Sequence, residues 1–152
     1  MKRILVTGSS GQLGMSIQKI HKEYDNLDFV FMNSKELDIT NLQRVQEIVG
    51  SGHFDYCINC AAFTNVEQAE KTPEKAFAVN AEGVKNIAIA CKEKDVLLIH
   101  ISTDYVFDGE KSAPYTIDDK PNPINEYGKS KLLGEQYIHE ILQEYMLIRT
   151  SW

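Results

Sequence analysis

Three glycines, spaced three residues apart, join a short apolar run to an amphipathic segment near the N-terminus. The apolar run is Ile4-Leu5-Val6, and Gly8, Gly11 and Gly14 follow it in the pattern G-x-x-G-x-x-G. Gly8 permits a tight turn, Gly11 lets backbone N–H groups approach a phosphate, and Gly14 lets a helix pack close to a sheet. The first turn of such a helix offers unpaired N–H groups and a favourable dipole to a pyrophosphate. The sequence therefore predicts a dinucleotide-binding strand–turn–helix unit.

Short apolar runs alternate with amphipathic segments along the whole chain. The expected strands are 4–6, 29–31, 56–58, 96–101 and 146–148, and the expected helices are 13–23, 42–49, 73–92 and 125–143. Thr40 and Gln43 have the spacing of a capping box at the start of the second helix. This pattern predicts an α/β fold, a Rossmann-type doubly wound parallel sheet with helices on both faces. Such a sheet binds its ligand beyond the carboxyl ends of its strands.

Length and charge narrow the class of protein further. The 152 residues suit one domain, which we assign to 1–152 as an NAD(P)-binding Rossmann domain. A net charge of −6 argues against bulk nucleic-acid binding, and no apolar run is long enough for a membrane span. The chain stops directly after an apolar strand with no closing helix, so we expect it to be a truncated chain, and the resemblance given below implies that a C-terminal substrate domain is the missing part.

The three cysteines are interpreted as small buried thiols. Cys57 and Cys60 form a C-x-x-C, but no second ligand pair is spaced to complete a zinc site. With Cys91 the count is odd, which fits a reducing cytoplasm, where we expect the protein to act. No metal site is predicted, and a Mg²⁺ requirement stays open.

A tyrosine and a lysine share one face of the last predicted helix. At about 100° per residue, Lys131 lies about 40° from Tyr127, whereas Lys129 points away. An ammonium beside a phenol favours the phenolate, so we expect the pKa of Tyr127 to fall below its usual value of about 10. A hydroxyl of Ser102 or Thr103, at the end of the strongest predicted strand, would hold a substrate oxygen. Together these groups predict a site for proton donation.

The end of the second predicted strand bears on the choice of cofactor. The acidic residue that usually binds the adenosine 2′-hydroxyl is missing there, and Met32, Asn33, Ser34 and Lys35 follow instead. Without a carboxylate a 2′-phosphate is not repelled, and Lys35 would attract it unless it is simply a solvated loop lysine. NADPH and NADH both remain open.

These motifs resemble the extended short-chain dehydrogenase/reductase superfamily and, within it, the dTDP-4-dehydrorhamnose reductase family. The matching segments run from end to end in the family's order and are 6–14, 37–41, 59–64, 79–80, 102–109, 127–131 and 149–152. The segment 102–107, Ser-Thr-Asp-Tyr-Val-Phe, is the most discriminating. Phe63 departs from the pattern, since a histidine often stands at that position in the family.

The resemblance implies an activity: NADPH or NADH would reduce the C4 keto group of dTDP-4-dehydro-L-rhamnose, giving dTDP-L-rhamnose for surface polysaccharide. Tyr127 would donate the proton, Lys131 would bind the nicotinamide ribose, and Thr103 would assist at the carbonyl. The sugar would contact Thr103, Asp104 and Trp152. The residues implied in cofactor binding are Gly8, Gly11, Gln12, Leu13, Gly14, Asp38, Ile39, Ala62, Phe63, Thr64, Tyr127 and Lys131.

Two alternatives remain. The superfamily also contains epimerases and dehydratases of nucleotide sugars. Dehydratases usually carry acidic residues directly after the catalytic Ser/Thr, and here only Asp104 is acidic before Tyr105, which disfavours that reaction. A relative also serves as the non-catalytic regulatory subunit of methionine adenosyltransferase, but intact Thr103, Tyr127 and Lys131 favour catalysis. We expect no nucleic-acid or membrane partner and leave a homodimer of the full-length protein open.

Overall fold

The computed structural model describes residues 1–151 and contains one sheet of five parallel strands in the order β2-β1-β3-β4-β5. The strands are β1 (Lys2–Thr7), β2 (Leu27–Met32), β3 (Tyr56–Asn59), β4 (Leu97–Thr103) and β5 (Tyr145–Thr150). The helices are α1 (Gln12–Ile20), α2 (Leu42–Gly52), α3 (Val66–Lys71), α4 (Pro73–Phe77), α5 (Val84–Glu93) and α6 (Glu126–Ile141). The predicted doubly wound parallel sheet is confirmed. Trp152, a predicted substrate contact, lies outside the described residues.

The winding of the chain reverses at β1. This strand lies between β2 and β3, so the connection through α1 runs toward one edge of the sheet and all later connections run toward the other. A doubly wound sheet opens a crevice at such a switch point, beyond the carboxyl ends of the two strands. Those ends are Thr7 and Asn59, which are register partners. The crevice therefore lies beside the glycine-rich turn.

The main core lies between the sheet and the helices α2, α5 and α6. Leu5, Cys57 and Leu98 point into it from three adjacent strands, and all are essentially buried. Removing one such side chain from water contributes roughly 1.5–3 kcal/mol, so this layer is a large part of the driving force for folding. Cys57 and Cys91 are buried here, as predicted, whereas Cys60 is only partly buried.

The opposite face of the sheet is covered less completely. Right-handed crossovers put α1 on that face, and it is the one helix there within residues 1–151. Side chains alternate along a strand, so Ile99 and Ile101 point away from α5 and α6. Their register partners Met146 and Ile148 are 54% and 47% exposed. These four residues form a partly uncovered apolar surface, which we call the open sheet face.

The start of α2 differs from the prediction. Its cap is Asn41, whose side chain accepts the backbone N–H of Arg44, one residue later than expected. The Thr40 hydroxyl donates instead to Asp38 Oδ1 at 2.7 Å. The predicted capping box of Thr40 and Gln43 is therefore wrong, because a local turn at Asp38 takes the Thr40 side chain.

The long helix predicted over 73–92 is present as one continuous run. It consists of α4, a wider segment over Ala78–Gly83 that we call the π-turn, and α5. An additional helix, α3, precedes it and is capped by Asn65, whose side chain accepts the N–H of Gln68. The segment between β4 and α6 contains one short 3₁₀ turn, Asp104–Val106.

Candidate active site

The glycine-rich turn is held by two close backbone approaches. Gly8 has a φ of 63°, and a Cβ there would lie 2.5 Å from the Ala61 backbone nitrogen. A Cβ on Gly14 would lie 2.6 Å from the Gly8 carbonyl oxygen. Gly11 differs, because a Cβ there would meet only the Gly8 oxygen, at 3.2 Å. Gly8 and Gly14 are therefore required for packing, whereas a side chain at Gly11 would make one close contact, with a backbone oxygen.

The N-terminus of α1 has unpaired backbone donors. Gly11 is its N-cap and supplies no side-chain hydrogen bond, and the Met15 N–H is bonded to the Gly11 carbonyl at 2.9 Å. The N–H groups of Gln12 and Leu13, in the first helical turn, have no intrahelical acceptor. The positive end of the helix dipole adds to their attraction for an anion. This is the arrangement that binds a phosphate.

Asn59 links the carboxyl ends of β1, β3 and β4. Its Oδ1 accepts the Thr7 hydroxyl at 2.6 Å and the Ala61 N–H at 3.2 Å. Its Nδ2 donates to His100 Nδ1 at 3.0 Å, with the tautomer assigned from this contact. Burial holds the pKa of His100 well below 6.5, and the charge of Lys131 lowers it further. The imidazole therefore stays neutral, and this buried network fixes the spacing of the three strand ends.

A cleft of about 280 Å³ opens at the switch point, between the glycine turn and the segments that follow β2 and β3. It is lined by the predicted cofactor residues Gly8, Gly11, Asp38, Ile39, Ala62 and Phe63, and also by Ser10, Ser34, Leu37, Cys60, Ala61 and Val79. Gln12, Leu13, Gly14 and Thr64 are not in its lining. A larger cleft of about 480 Å³ lies at the amino end of β4 and contains none of the predicted site residues.

The wall of the cleft formed by 38–40 is fixed by side chains. The Asp38 carboxylate accepts the Thr40 N–H at 2.9 Å, in addition to the hydroxyl. Asn86 on α5 donates from Nδ2 to the carbonyls of Ile39, at 3.0 Å, and Thr40, at 3.2 Å. Ile39 is buried except toward the cleft, while Asp38 and the nearby Lys35 are exposed. This wall is therefore in place without a ligand contact.

The predicted proton donor lies at the N-terminal end of α6. Asn125 caps this helix by accepting the Gly128 N–H at 2.7 Å, and the Tyr127 ring packs edge-on against Tyr105 at 5.5 Å. Burial raises the pKa of Tyr127, although hydrogen bonding to Thr103 opposes the rise. The predicted lowering of this pKa is therefore wrong in direction, while the predicted meeting of Tyr127 with the end of β4 is correct.

The environment of Lys131 explains why the pKa of Tyr127 is raised and not lowered. Lys131 is 2% exposed, and its Nζ donates to the Ile101 carbonyl at 2.7 Å. The ammonium is thus engaged with the β4 backbone, and it does not offset the burial of the phenol. Burial lowers the pKa of Lys131 to about 8, and the nearby Glu135 and Cys60 oppose that change.

Thr103 and Asp104 complete the end of β4. The Thr103 hydroxyl accepts the Tyr105 N–H at 3.1 Å and donates to Asp104 Oδ1 at 3.3 Å. Thr103 is 2% exposed, whereas Asp104 is exposed. Thr103, Tyr127 and Lys131 therefore converge here, one strand beyond the cleft at the switch point.

Asn80, which belongs to the family-like segment 79–80, connects the cleft to α6. It lies in the π-turn and is fully buried. Its Oδ1 accepts the Phe63 N–H at 2.8 Å, and its Nδ2 donates to the Phe63 carbonyl at 2.9 Å and to Ser130 Oγ at 3.0 Å. A polar residue inside an apolar helical stripe was the signal for this role.

A buried ion pair behind the site was not predicted. Glu135 Oε1 accepts the Ser102 hydroxyl at 2.5 Å and Arg149 Nε at 3.0 Å, and its Oε2 accepts a second Arg149 nitrogen at 2.6 Å. The Arg149 guanidinium also lies over the Phe107 ring, at 5.1 Å. The sequence contains one indication of this pair, because Glu135 lies four residues after Lys131 on the same helix.

The part of the chain that the structure describes contains neither a candidate metal centre nor a candidate membrane-spanning helix. No three side chains of His, Cys, Asp or Glu are grouped there so that they could hold a metal ion. None of its helices is both long enough and apolar enough to cross a membrane.

The chain is similar to one protein family and to several known proteins. A family model described as the RmlD substrate binding domain matches residues 1–152. A dTDP-4-dehydrorhamnose reductase of Aggregatibacter actinomycetemcomitans is 40% identical over 152 residues, which are 100% of this chain and 52% of that protein. A dTDP-4-dehydrorhamnose reductase of Mycolicibacterium smegmatis is 42% identical over 154 residues, covering 99% of this chain and 46% of that protein. The chain spans about half the length of the curated relatives it matches.

Among solved structures, the chain is similar to the dTDP-4-dehydrorhamnose reductase of Bacillus anthracis, crystallised in complex with NADP. The TM-score is 0.94 at 42% sequence identity, and the match covers 100% of this chain and 54% of that one. The two chains therefore share one backbone fold over the full length of this chain.

Proposed function

The chain belongs to the RmlD substrate binding domain family, and from this premise we propose that it binds NADPH or NADH at the β1/β3 switch point for the reduction of a nucleotide-linked keto-sugar. The substrate we propose is dTDP-4-dehydro-L-rhamnose, reduced at C4 to dTDP-L-rhamnose. One observation carries the proposal: the cleft with the phosphate-binding turn adjoins the strand end where Thr103, Tyr127 and Lys131 converge.

The chain's own residues fit a dinucleotide. The unpaired N–H groups at the start of α1 suit its pyrophosphate, and the lack of a side chain at the exposed Gly11 lets that group approach. Asp38 and Ile39 line the far wall, where an adenine would lie. The exposed Lys35 is the cation nearest in sequence to this wall and suits a 2′-phosphate, so NADPH fits as well as NADH.

The proposed mechanism assigns one task to each residue at the end of β4. When bound, the nicotinamide would supply the hydride. Tyr127, whose raised pKa keeps it protonated at neutral pH, would transfer its proton to the carbonyl oxygen of the sugar as that oxygen gains negative charge. The Thr103 hydroxyl would hold the same oxygen, and Asp104 is exposed beside it for contact with sugar hydroxyls. Lys131, charged below its pKa of about 8, would bind the ribose and stabilise the phenolate left behind.

The remaining assignments concern the protein as a whole. We propose that residues 1–152 act as the cofactor-binding unit and that a second domain completes the sugar site, as the greater length of the relatives suggests. We further propose that the protein works in the cytoplasm, because its three cysteines are free and free thiols persist in a reducing compartment.

Cofactor binding by the 152-residue chain is the direct test. Titration calorimetry with NADPH and with NADH is expected to show binding of at least one. Gly11→Val is expected to weaken it tenfold or more, equivalent to about 1.4 kcal/mol, because the new side chain occupies the space beside the free N–H groups. Gly50→Val is the matched control, since its Cβ also has one close neighbour, at 3.3 Å, but lies far from the cleft on α2.

Two results would count against the proposal. A folded chain that binds neither dinucleotide removes the cofactor assignment. Equal affinities of the Gly11→Val and Gly50→Val variants remove the phosphate-binding role of the turn. Binding without turnover of the keto-sugar, measured on a protein with the length of the relatives, would instead favour a regulatory subunit.

A further inference from the structure

One stripe of α6 faces the end of β4 with three functional groups. Tyr127, Lys131 and Glu135 follow one another at intervals of four residues, so they lie on nearly the same face of the helix. Tyr127 meets Thr103, and Lys131 Nζ donates to the Ile101 carbonyl. Glu135 completes the stripe through its bond to the Ser102 hydroxyl. Three consecutive residues of β4 are therefore each tied to this stripe.

Glu135 is a buried carboxylate with all of its bonds made to neighbouring elements. Its side chain is 2% exposed, and that of its partner Arg149 is 24% exposed. It accepts two hydrogen bonds from the guanidinium on β5 and one from Ser102 on β4. A buried charge is stable only when it is paired and hydrogen-bonded in this way. The carboxylate therefore joins α6, β4 and β5 behind the site.

Lys131 and this carboxylate are tied to adjacent residues of β4. Lys131 Nζ donates to the Ile101 carbonyl, and Glu135 accepts the hydroxyl of the next residue, Ser102. The titratable groups that face its ammonium are Glu135 on α6, His100 on β4 and Cys60 after β3. The imidazole is neutral and burial raises the pKa of the Cys60 thiol to about 11, so Glu135 is the one anion among these groups at neutral pH. Arg149 faces Lys131 only through Glu135. A buried ammonium without such a neighbour readily loses its proton.

We propose that Glu135 and Arg149 are positioning residues that hold the Lys131 ammonium at the end of β4 and set the negative charge it experiences. This inference rests on the proposed function, because it takes Lys131 to contact the bound cofactor. The pair thereby controls the pH range over which the cofactor is bound tightly. It acts through Lys131 and not on the substrate.

Substitutions of Glu135 and of Arg149 are expected to change the protonation of Lys131 in opposite directions. Glu135→Gln keeps the shape of the side chain but removes its charge, so Lys131 loses its proton at a lower pH. Arg149→Met leaves the carboxylate uncompensated, so Lys131 keeps its proton to a higher pH. We expect the pH at which NADPH affinity has fallen by half to move down by about one unit in the first variant and up in the second. A nonspecific loss of folding stability would move this pH in the same direction in both variants.

The experiment measures NADPH dissociation constants of the 152-residue chain between about pH 6 and about pH 10, the range that spans a depressed lysine pKa. Glu140→Gln, a neutralisation on the exposed side of α6, is the matched control and should reproduce the parental profile. Circular dichroism at each pH verifies that every variant is folded.

A double variant, Glu135→Gln with Arg149→Met, guards against a single variant that does not fold. Removing both charges of a buried pair is commonly tolerated. Its midpoint should lie below the parental one, because Glu135 lies one helical turn from Lys131, whereas Arg149 is bound on the other side of Glu135. A folded double variant with the parental midpoint overturns the inference, as do single variants with the profile of Glu140→Gln. A parent chain that binds no dinucleotide at any pH fails the proposed function instead, so the two failures are distinct.

Discussion

At the scale of single residues, Gly8 and Gly109 allow two structural constraints to be distinguished. One is a left-handed backbone conformation, and the other is close packing against neighbouring backbone. Both glycines have positive φ, of 63° and 80°, which only glycine adopts without strain. Gly8 also lies against the backbone of Ala61, whereas a Cβ on Gly109 would meet nothing within 4 Å. The cost of the conformation and the cost of the contact can therefore be measured separately in one protein.

We expect Gly109→Ala to lower the free energy of unfolding by about 1–2 kcal/mol, the cost of a left-handed conformation for a residue with a Cβ. Gly8→Ala should lower it by a further 1–3 kcal/mol or so, because backbone atoms of Cys60 and Ala61 cannot move aside like a flexible side chain. Urea unfolding monitored by circular dichroism measures both. Equal losses would mean that the turn can shift away from β3.

Tyr127 carries the proposed chemistry in one hydroxyl group. In a protein with a complete sugar site, Tyr127→Phe should lower kcat by a factor on the order of 10² to 10⁴, as expected for losing a general acid. The cofactor dissociation constant should change little, since the ring and Lys131 remain. Tyr137→Phe, on the same helix, is the control, because the Tyr137 hydroxyl donates to the exposed Glu82 of the π-turn. Parental turnover by the Tyr127→Phe protein would move the assignment to a regulatory subunit.

At the scale of secondary-structure elements, α6 is held by two close backbone contacts. A Cβ on Gly134 would lie 2.2 Å from the Asn80 carbonyl oxygen, and one on Gly128 would lie 2.2 Å from that of Tyr105. The first contact seats α6 on the π-turn and the second seats it on the 3₁₀ turn after β4. The position of the stripe that carries Lys131 therefore depends on glycines that bear no functional group.

Gly134→Ala is expected to displace α6 from the π-turn. It should cost about 1–3 kcal/mol of stability and weaken cofactor binding, because Lys131 moves with the helix. Gly50→Ala, in α2, should be neutral or stabilising by up to about 1 kcal/mol, since its Cβ meets only the end of the Lys94 side chain and alanine favours a helix. Thermal unfolding and calorimetry compare the two. A Gly134→Ala chain with parental values would contradict the seating argument.

The strands and the main helices were predictable from the sequence alone. Apolar runs and helical stripes predicted five parallel strands and the main helices, because periodicity records which face of each element is buried. The glycine spacing and the Tyr127–Lys131 interval predicted the candidate site for a similar reason, since both are local patterns. The relationship to dTDP-4-dehydrorhamnose reductases, inferred from those motifs, is confirmed. The roles of the individual site residues stay predictions.

What the sequence did not predict depends on neighbours distant in the chain or on local competition. The pKa of Tyr127 follows from its burial and not from its distance to Lys131 along the helix. The Glu135–Arg149 pair needs β5 to be placed beside β4. The cap at Asn41 needed the observation that Asp38 takes the hydroxyl of the preceding threonine. Periodicity contains none of this information.

At the scale of the whole molecule, the open sheet face is the least protected part of the described chain. Met146 and Ile148 lie half-exposed on β5, an edge strand with an unpaired backbone side. An apolar patch beside a sheet edge promotes pairing with another chain. Ile117 is more exposed, at 96%, but it stands alone on a loop.

We therefore expect the 152-residue chain to self-associate at high concentration, and Ile148→Lys to reduce that association without changing cofactor affinity. Ile117→Lys should have little effect, because an isolated exposed side chain does not form a patch. Sedimentation velocity over a concentration series measures both variants. A parent chain that stays monomeric throughout, or equal effects of the two substitutions, would contradict this expectation.

The position of β1 between β2 and β3 has a consequence for folding during synthesis. The Thr7 hydroxyl bonds Asn59, 52 residues further along the chain, and the glycine turn packs against the backbone just beyond that residue. Closing such a long loop is slow, and a growing polypeptide cannot close it before the second partner has been synthesised. The glycine turn must therefore wait for β3, which is translated after it. The contacts of the turn with β3 can form only once the residues between Thr7 and Asn59 have been added.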